Sequence, residues 1–191
     1  MGDKEEIEVH PFLRGDRIDL VTQESKWVDL FCKWHNIPEV RHYARHIFPT
    51  TLDQVKKWFE PQKEEGMRDF IVFTIYHKED KVPIGQAGFS QINWVNLNAN
   101  IWAAIGEPDY WGKGIVVEAA KLLIHYGFTE LNFHKIFAGI YSPNDRSLRA
   151  AEKLGFKKEA ILKEEMYVDG KFVDSHRFAL FKRDWLKENE V

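Results

Sequence analysis

The sequence has little cysteine, no long apolar run and no strong charge of either sign. Its single cysteine, Cys32, cannot form an intramolecular disulfide, and this cysteine usage is typical of a reducing compartment. No apolar stretch approaches membrane-spanning length, and residues 1–6 lack the apolar core of a signal peptide. A net charge of −3 argues against nucleic-acid binding through bulk electrostatics. We therefore expect a soluble cytoplasmic protein that binds neither membranes nor nucleic acid directly.

Apolar and aromatic residues are plentiful instead. Hydrophobic residues make up 44% of the 191 positions, enough for one domain with a sizeable core. Neither an internal repeat nor a linker to a second domain is visible. We expect a polar N-terminal tail at 1–11, a single domain at 12–186 and a C-terminal tail at 187–191.

One stretch, at 97–131, organises the rest of the chain. Residues 97–105 alternate with period two, which predicts a strand with one buried face. A turn at 106–114 follows, and helical spacing of apolar residues begins at Val116. Gly112 and Gly114 allow the backbone amides to converge at the amino terminus of that helix, where the dipole is positive. This arrangement favours binding of a phosphate or pyrophosphate.

The alternatives for this glycine pair follow from its neighbours. A Gly-x-Gly sequence between a strand and a helix is also common in tight connections that bind nothing. The nucleotide-hydrolase loop requires Ser or Thr after Gly-Lys, and Gly114 stands there. The dinucleotide fingerprint requires a third glycine where Val117 stands. Both of these phosphate-binding patterns are therefore excluded.

The predicted order is strand, two helices, three strands, helix, strand, helix and two strands. This order indicates an α+β, or mixed α/β, fold with helices covering a central sheet. Asn144 is predicted to cap the last helix, and Asp169 with Gly170 predicts a hairpin turn. Asn36 and Pro38 are predicted to end the first helix, and Pro61 and Gly66 to end the second. The segment 37–50 between these helices is predicted to be irregular. The predicted strands are 17–21, 70–76, 83–92, 97–105, 136–140, 160–168 and 171–181, and the predicted helices begin near 27, 52, 115 and 144.

Three motifs in this order resemble the GNAT superfamily of acetyl-CoA-dependent N-acetyltransferases, and more closely its RimJ/RimL and spermidine acetyltransferase branch. They are YWGKGIVVEA at 110–119, YSPNDRSLRAAEKLGF at 141–156, and DGKFVD at 169–174 leading to RDW at 183–185. The resemblance covers about residues 12 to 186. It implies a GNAT fold, with a mostly antiparallel, splayed sheet of six to seven strands flanked by about four helices.

The resemblance also implies the site residues. The loop would bind the pyrophosphate of CoA through its amides, and the pantetheine arm would add to the edge of the strand that ends at Ile105. Asn144 and Ser147 would act in catalysis, near the pantetheine and the thioester sulfur. Acetyl-CoA would be the cofactor and CoA the product, with no metal. The implied cofactor-binding residues are Ala104, Ile105, Tyr110, Trp111, Gly112, Lys113, Gly114, Ile115, Asn144, Ser147 and Lys153.

Three positions depart from the family's pattern. Asp109 stands where Gln or Arg is common, and Asn100 stands where an acid is often found. The tyrosine that protonates the departing thiolate falls on Ala151, so Ser147, one helical turn earlier, is the nearest replacement. A chain of ordered waters is the expected base, with Glu107 and Asp174 as further candidates.

The expected reaction is direct acetyl transfer to a primary amine, with a protein or peptide N-terminal amine as acceptor. The alternatives are a polyamine or another small amine, or a catalytically silent CoA-binding module. An acidic pocket for a polyamine could come from Glu60, Glu64 and Glu65. The lip of the acceptor site is expected at His42, Tyr43, Arg45 and His46. His42 and His46 have zinc-ligand spacing without an obvious third ligand, so we expect no metal. Relatives in the family often pair through their sheets, so a homodimer is one alternative for an oligomeric state that the sequence does not determine.

Overall fold

The computed structural model describes residues 9–60 and 67–189. Within them, eight strands form one sheet in the order β1-β2-β3-β4-β5-β6-β8-β7, and every neighbouring pair is antiparallel except β5 and β6. This arrangement confirms a mixed α/β fold with a mostly antiparallel sheet. The strands are β1 (Pro11–Arg14), β2 (Ile18–Val21), β3 (Ile71–His77), β4 (Val82–Asn93), β5 (Asn98–Ile105), β6 (Lys135–Tyr141), β7 (Lys157–Val168) and β8 (Lys171–Phe181).

Six α-helices accompany the sheet within the described residues. They are α1 (Val28–Asn36), α2 (Pro38–Ala44), α3 (Leu52–Lys56), α4 (Ile115–Thr129), α5 (Asp145–Lys153) and α6 (Lys182–Asn189). The main core lies between α4 and the sheet, where Leu123 and Phe89 are completely buried. A smaller core joins the first three helices around Phe31 and Val55. None of the described helices has the length and apolarity needed to cross a membrane.

The sheet has one strand more, and the chain two helices more, than the six to seven strands and about four helices expected. The extra strand is the short β1, whose first residue lies in the expected tail at 1–11. The segment 37–50 was predicted to be irregular, but Pro38 occupies the first turn of α2, where its fixed φ suits a helix. The C-terminal tail was expected to begin at 187, but that position lies inside α6. The helix is held to the core by Trp185, whose ring centroid lies 5.5 Å from that of Phe128.

Several predicted features lie outside the described residues. They include most of the N-terminal tail, Glu64 and Glu65, and the two residues expected to end the second predicted helix, Pro61 and Gly66.

The strands β5 and β6 pair over only part of their length. Asn98, Ala99 and Asn100 pair in parallel with residues of β6, and the pairing stops there although β5 continues to Ile105. Helix α4 makes the crossover between the two strands. The second half of β5 therefore has a free edge beside β6, as the predicted splay requires.

Helix α3 begins with a reciprocal cap that offers a test of local stability. The Thr51 side chain accepts from the Gln54 amide, and the Gln54 side chain accepts from the Thr51 amide. We expect Thr51→Ala to lower the free energy of unfolding by about 1 kcal/mol, because one amide loses its acceptor. Chemical denaturation measures this loss. Thr129→Ala, at the far end of α4, is the control, and equal losses in both variants would contradict the capping role.

Candidate functional site

The turn between β5 and α4 places two glycines in the left-handed region. Gly112 has φ of 75° and Gly114 has φ of 76°, and Gly114 is the N-cap residue of α4. A Cβ added at Gly112 would meet no protein atom within 4 Å. The first amides of α4 have no intrahelical acceptor and lie at the positive end of the helix dipole. The turn thus has the conformation and open space of an anion-binding loop.

Side chains on both sides hold this loop in place. The Tyr110 hydroxyl donates to Asp80, and this hydrogen bond is the main reason that the pKa of Tyr110 rises to about 12. Trp111 Nε1 donates to the carbonyl of Ile105 at 3.0 Å, which ties the loop to the end of β5. The Lys113 ammonium lies over the Tyr110 ring at 5.2 Å from its centroid.

Arg17 and Glu118 connect the loop to β2. Glu118 accepts from the backbone amides of Arg17 and Ile18 at 2.8 and 3.2 Å, and from Arg17 Nε at 2.9 Å. Arg17 Nη1 also donates to the Lys113 carbonyl at 2.8 Å. Burial raises the pKa of Glu118, but the hydrogen bonds from Arg17 and Ile18 and the guanidinium charge outweigh it, so the pKa is lowered overall. The pair fixes the loop to the sheet.

A cleft of about 500 Å³, the loop cleft, opens between this loop, the end of β5 and α5. The predicted cofactor residues line it with one exception, Lys113, whose side chain turns to Tyr110. Arg146 and Arg149 line it together with the predicted Lys153. The two arginines were not predicted. Arg146, Arg149 and Lys153 follow each other at spacings of three and four residues, which places them on one face of α5. This spacing was the signal that could have identified the two arginines. These three cations suit a ligand with several phosphates.

A second cleft of about 540 Å³, the sheet cleft, is lined by residues of both β5 and β6, the strands that flank the gap. Residues from the end of α2, from strands β4 to β8 and from α5 line it. Of the residues predicted to form the lip of the acceptor site, Tyr43, Arg45 and His46 line this cleft. His42 does not line it, and its Nδ1 lies 3.7 Å from Asp169 Oδ1. The two clefts share Tyr43, Ala44, Ala103, Ala104, Val116, Asn144, Ser147 and Ala150.

Asn144 and Ser147 therefore lie where the clefts meet. Asn144 Oδ1 accepts from the Ser147 amide at 3.2 Å and caps α5, as predicted. Within the described residues, no partner is found for Asn144 Nδ2 or Ser147 Oγ. Both atoms remain available to a ligand that spans the junction.

Neither the departures from the family's pattern at positions 100 and 151 nor the two carboxylates considered as bases place a base in the clefts. Asn100 lines the sheet cleft but donates to Ser90 Oγ at 3.0 Å. Glu107 accepts from Lys33 and from Trp34 Nε1, and it lines neither cleft. Asp174 lies outside both clefts too, and its hydrogen bond from Lys163 is the main reason that its pKa is lowered. Ala151 lines the sheet cleft with no proton to donate.

Sequence reasoning also missed polar groups that become important only in three dimensions. The Tyr141 hydroxyl is buried in the sheet cleft without a partner in the described chain, and burial raises its pKa, so it stays protonated. His35 and His46 stack there with ring centroids 3.8 Å apart. Burial, and then the charge of His46, lowers the pKa of His35 to about 4, and burial also lowers the pKa of His46. Both rings are therefore neutral at pH 7.

Comparison with known proteins identifies the family. The family model described as an acetyltransferase (GNAT) domain matches residues 17–157. The chain belongs to the GNAT acetyltransferase family. One relative is "Uncharacterized N-acetyltransferase p20" of Bacillus licheniformis, which is 32% identical over 91% of this chain and 97% of that protein. Another is the spermidine N(1)-acetyltransferase of Escherichia coli K12, which is 34% identical over 82% of this chain and 81% of that protein.

Solved structures share this GNAT fold. The crystal structure of spermidine N-acetyltransferase from Vibrio cholerae in complex with CoA and spermine matches with a TM-score of 0.80 and 22% identity, over 89% of this chain and 98% of that one. Family membership and the relatives make this protein an acetyl-CoA-dependent N-acetyltransferase. Within the described residues, no group of three or more His, Cys, Asp or Glu side chains is placed to hold a metal. Membership of the RimJ/RimL branch stays a prediction.

Proposed function

We propose that CoA binds in the loop cleft, that the acceptor binds in the sheet cleft, and that the acetyl group passes directly to a primary amine at the junction. The observation that carries this proposal is that the clefts meet at the free edge of β5, beside Asn144 and Ser147. Acetyl-CoA supplies the acetyl group already activated as a thioester. The chain then needs to position the amine, exclude water and supply protons, and it needs no nucleophilic side chain.

The loop cleft offers partners both for the phosphate groups of CoA and for its pantetheine arm. Its converging amides, from Tyr110 to Ile115, would bind the pyrophosphate, and the open space at Gly112 permits close approach. Arg146, Arg149 and Lys153 would bind phosphate oxygens. The free edge at Ala104 and Ile105 would pair with the amides of pantetheine as an added strand. The Ile105 carbonyl already accepts from Trp111, so Ala104 would contribute the larger share.

Asn144 and Ser147 would act on the thioester end. Asn144 Nδ2 would donate to the pantetheine, while its Oδ1 continues to cap α5. Ser147 Oγ would protonate the departing thiolate in place of the tyrosine that Ala151 replaces. Ordered waters would carry the proton away from the amine, because the carboxylates considered as bases lie outside both clefts.

Removing the Ser147 hydroxyl tests this role. We expect Ser147→Ala to lower kcat roughly tenfold, because water is a weaker and less well positioned proton donor. Its affinity for CoA should change less than about threefold, because the amides and cations of the loop cleft are untouched. Ser142→Ala, whose hydroxyl lies outside both clefts, is the control. An unchanged kcat in Ser147→Ala would assign the proton to water.

A polyamine acetyltransferase is the second candidate, and the spermidine acetyltransferase relatives favour it. They support it better than they support the protein or peptide N-terminal amine predicted from the sequence. The acidic pocket that a polyamine requires is not visible in the described part of the chain. Glu60 is exposed and lines neither cleft.

Release of free CoA thiol from acetyl-CoA, measured with polyamines, amino acids, peptides and simple alkylamines, tests the proposed function. We expect at least one amine to release thiol at a rate that saturates with its concentration. Binding of CoA without thiol release from any amine would support a silent CoA-binding module. Cytoplasmic location and a homodimer stay predictions, and a Vibrio cholerae neighbour is described as dodecameric. Light scattering on the purified protein would measure its own assembly.

A further inference from the structure

The side chains of the sheet cleft carry an excess of positive charge. Two arginines, Arg45 and Arg177, line it, and Glu165 is the one carboxylate that does so among the described residues. Glu165 is exposed, whereas both arginines are partly buried. The two histidines of the cleft are neutral at pH 7 and leave this balance unchanged. The proposed acceptor cleft is therefore electropositive, whereas a polyamine needs an acidic cleft.

Arg177 has no counter-ion in the described chain. It lies on β8 opposite Gly139 of β6, and its guanidinium lies 4.7 Å from the centroid of the Phe137 ring. A Cβ at Gly139 would meet nothing closer than Ser175 Oγ at 3.9 Å, so the space beside the guanidinium is open. Its Nε is buried and makes no hydrogen bond. A partly buried guanidinium without a counter-ion also costs free energy, which an oxyanion in the cleft would reduce.

Arg45 is placed in a similar way, over the ring of Tyr141, which also belongs to β6. Arg45 ends α2 with φ of 59°, and its Nη2 donates to the Tyr167 carbonyl at the far end of β7. This contact holds the guanidinium near Tyr141, at 5.8 Å from the ring centroid. The Nε of Arg45 and the hydroxyl of Tyr141 are both buried without a partner in the described chain. Two arginines from distant parts of the chain thus line one cleft, and neither is paired with a carboxylate of the described residues.

We propose that the acceptor is a primary amine that also carries an oxyanion, a carboxylate or a phosphate, which Arg177 and Arg45 bind. This inference rests on the proposed acetyl transfer to an amine in the sheet cleft and narrows its substrate class. Guanidinium groups bind both oxyanions through parallel hydrogen bonds. The bound anion directs the amine end of the molecule towards the junction at Asn144 and Ser147. Diamines and longer polyamines bring like charge to the two arginines and bind poorly.

Acceptors of matched chain length isolate the charge. Thiol release is measured with butylamine, 4-aminobutanoate, 1,4-diaminobutane and 3-aminopropyl phosphate, with 3- and 5-carbon aminocarboxylates, glycine and spermidine alongside. We expect kcat/KM for the best anionic acceptor to be at least about tenfold higher than kcat/KM for the neutral amine of the same length. The difference from the diamine of the same length should be larger, because the diamine brings a second positive charge. Comparison of the carboxylate and phosphate acceptors identifies the oxyanion. A preference for the diamine or spermidine over every anionic acceptor would overturn the proposal.

Variants assign the preference to the arginines. Arg177→Gln should lower kcat/KM for the anionic acceptor about ten times more than for butylamine, mainly through KM, because the oxyanion loses one cation. Arg177→Glu should move the preference towards the diamine. Arg183→Gln is the matched control, since Arg183 also lies over an aromatic ring, that of Phe181 at 4.8 Å, but lines neither cleft. Equal effects of Arg177→Gln on anionic and neutral acceptors would overturn the assignment.

A binding measurement separates this proposal from failure of the proposed function. If no amine releases thiol, calorimetry of the CoA-bound protein with glutarate and with 1,5-diaminopentane still reports the charge preference of the cleft. Tighter binding of glutarate, weakened by Arg177→Gln, supports an oxyanion site. Tighter binding of the diamine, or no binding of either ligand, overturns it.

Discussion

Replacing Gly112 by valine should weaken the binding of CoA about a hundredfold, a loss of about 2.7 kcal/mol. A backbone effect and a steric effect both contribute to this loss. Gly112 has φ of 75°, a conformation that costs an L-residue about 1–2 kcal/mol. The loop of the variant therefore changes conformation, and its amides no longer converge. The added side chain also occupies open space at the loop cleft, where phosphate oxygens need to approach the backbone. Calorimetry with CoA measures the change.

The β7–β8 hairpin offers a closely matched control. Gly170 has φ of 81°, and a Cβ there would also meet nothing within 4 Å. Gly170→Val therefore carries a similar conformational cost, but it lies at a hairpin turn outside both clefts. We expect the two variants to lose similar stability, and only Gly112→Val to lose affinity for CoA. Near-normal CoA binding by Gly112→Val, or equal losses in both variants, would show that the amides of this loop do not bind the cofactor.

The loop and the cap of α5 could be predicted from the sequence because their signals are local. Gly112 and Gly114 follow a strand and precede an apolar helical pattern, and Asn144 stands one residue before α5. Helix α2 was missed because a single proline has two interpretations. Pro38 ends α1 as predicted, but it also begins the next helix at once. Neighbouring residues alone did not decide between these interpretations.

The charge of the sheet cleft could not be predicted because it is assembled from distant parts of the chain. Arg45 comes from the end of α2 and Arg177 from β8, and both line one cleft because each guanidinium packs over a ring of β6, that of Tyr141 or that of Phe137. In sequence, Arg177 belongs to an ordinary strand pattern. The acidic residues noted in the sequence, such as Glu60, suggested a polyamine pocket, but charge matters only where the fold places it. Acceptor specificity is thus the part of the site least accessible to sequence reasoning.

The ion pair between Arg17 and Glu118 is equally non-local, and its loss should have the second large effect. We expect Glu118→Ala to lower the free energy of unfolding by about 2 kcal/mol, because the amides of Arg17 and the fully buried Ile18 lose their acceptor. The affinity for CoA should also fall about tenfold, since Arg17 would no longer be held against the Lys113 carbonyl in the loop. Urea denaturation and calorimetry measure the two losses.

Two further variants separate the carboxylate from the helix that carries it. Glu130→Ala, at the other end of α4, should change neither quantity appreciably. Glu118→Gln keeps one oxygen that can accept a hydrogen bond, so it should recover part of the stability. Normal CoA affinity in Glu118→Ala, together with the expected loss of stability, would limit the pair to a role in folding.

The pH dependence of the free energy of unfolding distinguishes the contribution of the Glu118 charge from that of its hydrogen-bond geometry. Its pKa in the folded protein is lowered from the ordinary value of 4.5, so its ionised form stabilises the fold at every pH above that value. As the pH falls below 4.5 and through the lower folded pKa, the carboxylate is protonated in both states and this contribution disappears. The stability difference between the natural protein and Glu118→Gln should therefore be constant from pH 7 to about 5 and shrink below about 4.5. A difference that stays constant down to pH 3 would show that hydrogen-bond geometry, and not charge, accounts for the effect of the substitution.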